Sequence, residues 1–120
     1  MALHSYKELI VWQKSINLTT EVYRLTALYP KSEIFGLVSQ SRRAVVSIPS
    51  NIAEGYARKN NPEYSHFINI AYASGAELET QLVIAENLRF AETNEFKEST
   101  QILQEILRML NVLERKIRSR

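Results

Sequence analysis

SEIFGLVSQSRRAVVSIPSNIAEGYARK, residues 32–59, carries two stripes at one helical pitch. Ile34, Leu37, Val38, Ser41, Ala44, Val45, Ile48 and Ile52 recur every three or four positions, the spacing of a helix face turned toward a core. Beside them Gln40, Arg43, Ser47, Asn51, Glu54 and Arg58 repeat with the same pitch. A solvated face ordinarily holds interchangeable Lys and Glu, whereas this row mixes amide, guanidinium, hydroxyl and carboxylate groups that can bond one another. Together with Glu77 it reads as a buried polar network in which Arg43, opposite Glu77 and Glu79, pairs a carboxylate of the next helix. Cutting such a pair from one side, as in Arg43→Ala, would cost roughly 3–5 kcal/mol. Pro49 falls inside the same helix and predicts a kink, because it removes one hydrogen bond and frees the Val45 carbonyl for a donor from Arg43, Ser47, Ser50 or Asn51.

Working outward, turn chemistry divides the chain into helices at about 5–29, 33–59, 62–90 and 94–118, within one domain covering 1–120. Tyr29-Pro30-Lys31-Ser32 closes the first helix and offers Ser32 as N-cap of the second. In Asn60-Asn61-Pro62, Asn61 caps the third and Pro62 takes its first position. Four long helices with short connections predict an all-α, up-down-up-down antiparallel four-helix bundle, kinked at Pro49. Composition agrees: all 13 acidic residues are Glu, and Gly and Pro number three each. The absence of cysteine excludes disulfides and thiol chemistry. No leader-like segment and no long apolar run is present, which reads as a cytoplasmic chain with no membrane partner.

Pairing residues equidistant from each turn sets Trp12 in one layer with Ala71 and Ser74, the large residue against the small. Helix 1 then has Leu9, Trp12, Ile16, Thr19 and Tyr23 as its core stripe, and a second stripe of Val11, Leu18, Val22, Leu25 and Tyr29 nearly opposite. One bundle cannot bury both, so the second stripe is the expected interface of a homo-oligomer.

Charge is uneven although the net is only +2. Six Glu against Arg89 and Lys97 make residues 77–98 net −4, and five basic residues against Glu114 make 108–120 net +4. Arg108, Arg115, Lys116 and Arg118, joined by Arg42, Arg58 and Lys59 where assembly leaves them exposed, form the candidate phosphate-binding surface. Catalytic sets are missing: no Asp exists for a Ser-His-Asp triad, no glycine-rich phosphate loop occurs, and Glu63 and His66 are a single Glu-x-x-His step without the partners a dimetal bundle needs. No catalytic residue, metal, cofactor or small-molecule substrate is therefore assigned.

LIVWQKS, YPKSEIFGLVSQSRRAVVSIPSNIAEGYARKN and SGAELETQLVIA closely resemble the bacterial four-helix-bundle proteins encoded in intervening sequences of 23S ribosomal RNA genes. The likeness runs from about Leu9 to Phe90, with Ser41 departing from the larger apolar residue expected in the QxRRA run. It implies a barrel-shaped homopentamer, related to accessory proteins of diversity-generating retroelements, with basic surface for structured RNA, DNA or a nucleic-acid enzyme such as a reverse transcriptase. The expected function is thus a non-enzymatic oligomeric module that binds nucleic-acid backbone. The alternative is a protein-only scaffold or adaptor.

Overall fold

The scarce turn formers place the helix ends. The structure, a computed structural model describing residues 5–120, has α1 at Ile10–Thr26, α2 at Leu37–Tyr56, α3 at Asn61–Asn87 and α4 at Lys97–Arg118. Short 3-10 turns at Tyr6–Glu8, Lys31–Glu33 and Thr93–Phe96 precede α1, α2 and α4, and no strand occurs among the described residues. The start of α3 is tied reciprocally: Asn60 Oδ1 accepts from the Glu63 N–H at 2.9 Å and Asn60 Nδ2 donates to the Glu63 carboxylate at 3.0 Å. Pro62 sits in that first turn, where a missing N–H costs nothing. Asn60, rather than Asn61, is therefore the cap. Ser32 is not a cap either, because it lies within a 3-10 turn and the Glu33 carboxylate accepts from the Leu37 N–H at 3.3 Å. Delaying α2 to Leu37 leaves Ile34 55% and Phe35 94% exposed ahead of it. At the far end of α3 the Phe90 N–H reaches back to the Ala85 carbonyl at 3.0 Å, with Arg89 at φ 59° in the left-handed position that glycine usually fills.

The four helices close a ring, α1 against α2 and α4, and α3 against α2 and α4. Cross-helix contacts advance along one helix as they recede along the next. Ser47 meets Ser74 while Gly55 meets Phe67; Gly75 faces Leu103 and Leu107 while Ser65 meets Glu114; Lys14 pairs Glu105 while Arg24 pairs Glu95. The bundle measures 45 × 23 × 21 Å, its long axis set by α3 at about 40 Å.

Its core takes Val38, Ala44, Val45, Ile48 and Ile52 from α2, and Tyr64, Ile68, Ala71, Leu78, Leu82 and Ala85 from α3. Leu103, Ile106, Leu110 and Ile117 complete it from α4. On α2 these are the residues that the three-four spacing predicts, apart from Ile34, which is exposed, and Leu37, which is half-buried. The two stripes of helix 1 are exchanged. Val11, Leu18, Val22, Leu25 and Tyr29, expected as an oligomer interface, are 0–6% exposed inside the single bundle, whereas Ile16 and Tyr23 are 39% and 42% exposed. The aliphatic stripe permits closer helix approach than one built on Trp, Ile and Tyr, so it wins the interior. Trp12 accordingly does not fill the layer of Ala71; it is half-buried on the outer seam of α1 and α2, edge-on to Tyr6 at 5.4 Å.

One end of the core is polar. Ser41 of α2, Gln81 of α3 and Ser99 of α4 are 0%, 5% and 0% exposed, and the contacts above put all three near one level. Ser41 Oγ, Gln81 Oε1 and Ser99 Oγ lack a protein hydrogen-bond partner, as does the Tyr29 hydroxyl at the same end. Tyr29 packs on Phe90 at 5.5 Å and Phe96 at 6.2 Å, and burial pushes its phenol up to about 12. Because the folded value lies above the unfolded one, near 10, this stabilising contribution is whole below pH 10 and disappears between pH 10 and about 12. Tyr29→Phe removes an orphan hydroxyl and keeps the ring. Urea melts should show unchanged stability, or a gain of about 1 kcal/mol, at pH 7, and a smaller alkaline loss than wild type.

Candidate functional site

Two surfaces compete for a functional role, the polar row of α2 and the basic residues. The row does not form a buried network. Arg43 and Glu54 are exposed, as is Gln40. Only its middle coheres: the Ser47 and Ser74 hydroxyls share a hydrogen bond of 2.8 Å, and Asn51 Nδ2 donates to the Ser47 carbonyl at 2.8 Å and to Ser47 Oγ at 2.9 Å. Those donors thus close a local clasp across α2 and α3 and are not directed at the carbonyl ahead of Pro49. Glu54 accepts from Arg58 at 3.1 Å one turn on, and Glu77 accepts from Gln81 at 3.4 Å. Arg43 makes no ion pair with Glu77 or Glu79. The row sits at the flank of the α2–α3 seam, where its outer members reach water, so removing the Arg43 head group strands no buried charge. The expected 3–5 kcal/mol penalty falls to the few tenths typical of exposed sites.

Three of the seven candidate phosphate ligands are already engaged. Arg42 donates to Thr26 Oγ1 at 2.9 Å and to the Tyr23 carbonyl at 3.3 Å, with its guanidinium 4.5 Å above the Tyr23 ring. It fastens the last turn of α1 by adding a second donor to the Tyr23 carbonyl, which already accepts from the Ala27 N–H at 3.2 Å. Arg58 pairs Glu54 and lies 4.7 Å over Phe67. Arg118 donates to Glu114 at 3.1 Å, while the Ser65 hydroxyl donates to the same carboxylate at 2.7 Å. The Ser65 bond, then Arg118, holds the Glu114 carboxyl below its ordinary range.

Arg108, Arg115, Lys116 and Lys59 remain exposed and outside these pairs. Lys59 stands in the α2–α3 turn. On α4, the steps of three and four from Lys97 through Gln101, Gln104, Arg108 and Asn111 to Arg115 define one face, exposed at every position. No carboxylate interrupts it. Over about 27 Å it offers three cations and three amides, donors suited to phosphate and sugar oxygens. The sequence reading found the cations and missed Gln101, Gln104 and Asn111. The signal was present in the spacing, since Glu98, Glu105 and Glu114 all fall off this face. Lys116 lies to one side, with Arg108 at the rim of a shallow apolar cleft lined by Leu9, Ile10, Met109 and Val112.

A second exposed feature is apolar. Between α1 and α2 a cleft of about 300 Å³ is lined by Tyr6, Trp12, Ile16, Val46 and Pro49. It continues through Val46 into one of about 500 Å³ lined by Tyr23, Ile34, Phe35, Val38, Arg42 and Arg43. Metal chemistry gains no support: His66 is exposed, edge-on to Phe67 at 5.5 Å, and no group of three potential ligands occurs among the described residues. No helix among them is long and apolar enough to cross a membrane.

The whole arrangement has counterparts. The model of the family described as 23S rRNA-intervening sequence protein matches residues 7–112. The crystal structure of a protein with unknown function from the S23 ribosomal protein family of Bacteroides thetaiotaomicron superimposes with a TM-score of 0.81 at 20% identity. That superposition covers 88% of this chain and 98% of the other. No curated protein matches the chain. The neighbour shares the fold, and the family match runs from the 3-10 turn before α1 into the last turns of α4, so the chain belongs to the 23S rRNA-intervening sequence protein family.

Proposed function

We propose that this protein is a non-enzymatic, homo-oligomeric module of the cytoplasm that holds RNA or DNA by its phosphate backbone, alone or beside a nucleic-acid enzyme such as a reverse transcriptase. The observation that carries the reading is the outward face of α4, a row of Lys97, Arg108 and Arg115 spaced by amides and free of carboxylates. The family name, which ties these proteins to ribosomal RNA genes, is consistent with it. A single copy places few cations on a phosphate chain. A homopentamer, the assembly implied by the resemblance, repeats the row around an axis and multiplies the phosphates neutralised together. Binding is then steeply salt-dependent and indifferent to sequence, because no element offers base edges a set of side chains.

Lys97→Glu, Arg108→Glu and Arg115→Glu, made together, test the reading. All three are exposed, so helicity should be retained. Fluorescence anisotropy with generic RNA and duplex DNA at about 0.1 M salt should register at least a tenfold loss of affinity. The slope of log affinity against log salt should flatten by up to about three, near 0.9 per lost duplex phosphate contact. Equal binding by a folded variant would hand the function to the second reading, a protein-only scaffold, which the apolar cleft between α1 and α2 favours.

A further inference from the structure

We propose that the cleft between α1 and α4 is a docking groove for an acidic amphipathic helix of a partner protein. The helix register explains why a groove exists there. Lys14 pairs Glu105 and Arg24 pairs Glu95, which sets Ile10 level with Met109, so α4 runs on to Arg118 for about two and a half turns past the start of α1. The chain ahead of α1 does not continue it as a helix; its 3-10 turn, Tyr6–Glu8, packs against α1 and α2. What remains is a cleft of about 350 Å³ floored by Leu9, Ile10, Met109, Val112 and Leu113. Ile10 is 54% and Val112 43% exposed, so the floor is apolar surface open to water.

Its charge and shape select the occupant. Among the described residues the lining holds two cations, Arg108 and Lys116, and no carboxylate. Both are exposed and outside the ion pairs described above, and they stand eight positions apart on α4. That is about 12 Å, the separation of two carboxylates placed two turns apart on another helix. The start of α1 adds a further demand for negative charge, because Leu9 holds the N-cap position without a side-chain bond and the first turn carries no acid. A carboxylate from the occupant supplies the missing cap at the positive end of the helix dipole. The floor itself is aliphatic with one adaptable thioether, and it has no aromatic ring on which an unpaired base could stack. An acyl chain would cover that floor but brings one acid group to two cations. A helix with leucines at three-four spacing, edged by glutamates, meets both. Because Arg108 also belongs to the outward row of α4, the docked helix takes one cation from that row and sets carboxylates beside it. Partner and nucleic acid then compete; this consequence alone rests on the proposed function, and the docking does not.

Fluorescence anisotropy with a labelled peptide of that design, leucines at three-four spacing flanked by glutamates, reads the docking without nucleic acid. Wild type should bind it saturably at micromolar concentration and prefer it about tenfold over the same peptide carrying lysines, a preference that shrinks as salt rises. Ile10→Ser with Val112→Ser, both at exposed positions, should keep wild-type helicity and assembly and lose about tenfold in affinity. The serine variant retains every charge, so unchanged affinity would reduce the contact to general attraction and overturn the groove. No saturable binding up to millimolar concentration, or tighter binding of decanoate than of the peptide, would overturn it equally. A smaller assembly in the serine variant would give the cleft to a second copy and have the same force. Displacement of labelled RNA by the glutamate peptide should follow from the shared Arg108, and simultaneous binding would overturn the competition. A wild type that takes the peptide and binds no RNA would keep the groove and remove only the phosphate-binding reading.

Discussion

Leu18→Ala is expected to lower the free energy of unfolding by roughly 2–5 kcal/mol, the range for emptying a fully enclosed leucine site. Leu18 is 0% exposed, on the same stripe as Val22 and Leu25, also 0%. Its neighbours come from rigid helices that relax only partly around a vacancy, so the loss combines lost transfer energy with the void left behind. A leucine at the boundary between subunits would behave differently. There the truncation would shift the association constant and leave the melt of the monomer nearly untouched. Urea titration followed by circular dichroism, run at two protein concentrations tenfold apart, separates these outcomes. A concentration-independent drop in midpoint places Leu18 in the core; a midpoint unchanged at both concentrations contradicts the burial.

The second large effect concerns a glycine. At Gly55, where α2 crosses α3, a Cβ would lie 2.9 Å from Phe67 Cβ and 3.2 Å from the Tyr64 carbonyl oxygen. Neither atom can swing away, because one is the stem of a side chain and the other is backbone. Gly55→Val should therefore destabilise by roughly 2–3 kcal/mol, strain that exceeds any gain in helix propensity from leaving glycine. Gly75→Ala supplies the contrast. Its Cβ would meet Leu107 Cδ2 at 2.6 Å, the tip of a flexible side chain that can change rotamer. The helix gains up to about 1 kcal/mol in propensity, and the net change should be near zero. Parallel urea melts with well-separated midpoints for the two variants are the expected result, and coincident midpoints would refute the account.

Much of the bundle was legible because α2 and α3 each carry an apolar stripe at three-four spacing. Ile48, Ile52, Ile68 and Leu78 admit a single wheel orientation, and Asn60, Pro62 and the Pro30 region fix where the helices stop. Helix 1 was not legible in the same way, since it carries two apolar faces and hydrophobicity alone cannot rank them. The choice was made by shape: Val11, Leu18 and Val22 fit between helices, and Trp12 and Tyr23 are wide enough to bridge a seam from outside. The polar row misled for a related reason. Its regular pitch gave the angle of the face correctly, but pitch says nothing of whether a neighbouring helix reaches far enough to cover it, and at Arg43 and Glu54 none does. On α4 the cations were found and the amides between them were not, because a search by charge passes over neutral donors.

The polar end of the core has a kinetic side. Ser41, Gln81 and Ser99 give up dispersion contacts that larger apolar residues would make, and their unpaired oxygens gain hydrogen bonds once water enters. The opposite end is held by Ile52, Ile68, Leu110 and Ile117, which gain nothing from water. Breathing of the molecule should therefore begin beside the α1–α2 and α3–α4 turns, with amide protons near Ser41, Gln81 and Ser99 exchanging through local opening while those near Ile52, Ile68 and Leu110 wait for global unfolding. Native-state hydrogen exchange resolved by residue would map that gradient, and uniform protection along α2 would contradict it. A bundle that loosens at one end keeps the end with its α2–α3 turn and Lys59 fixed, while the four helix ends beside the α1–α2 and α3–α4 turns move.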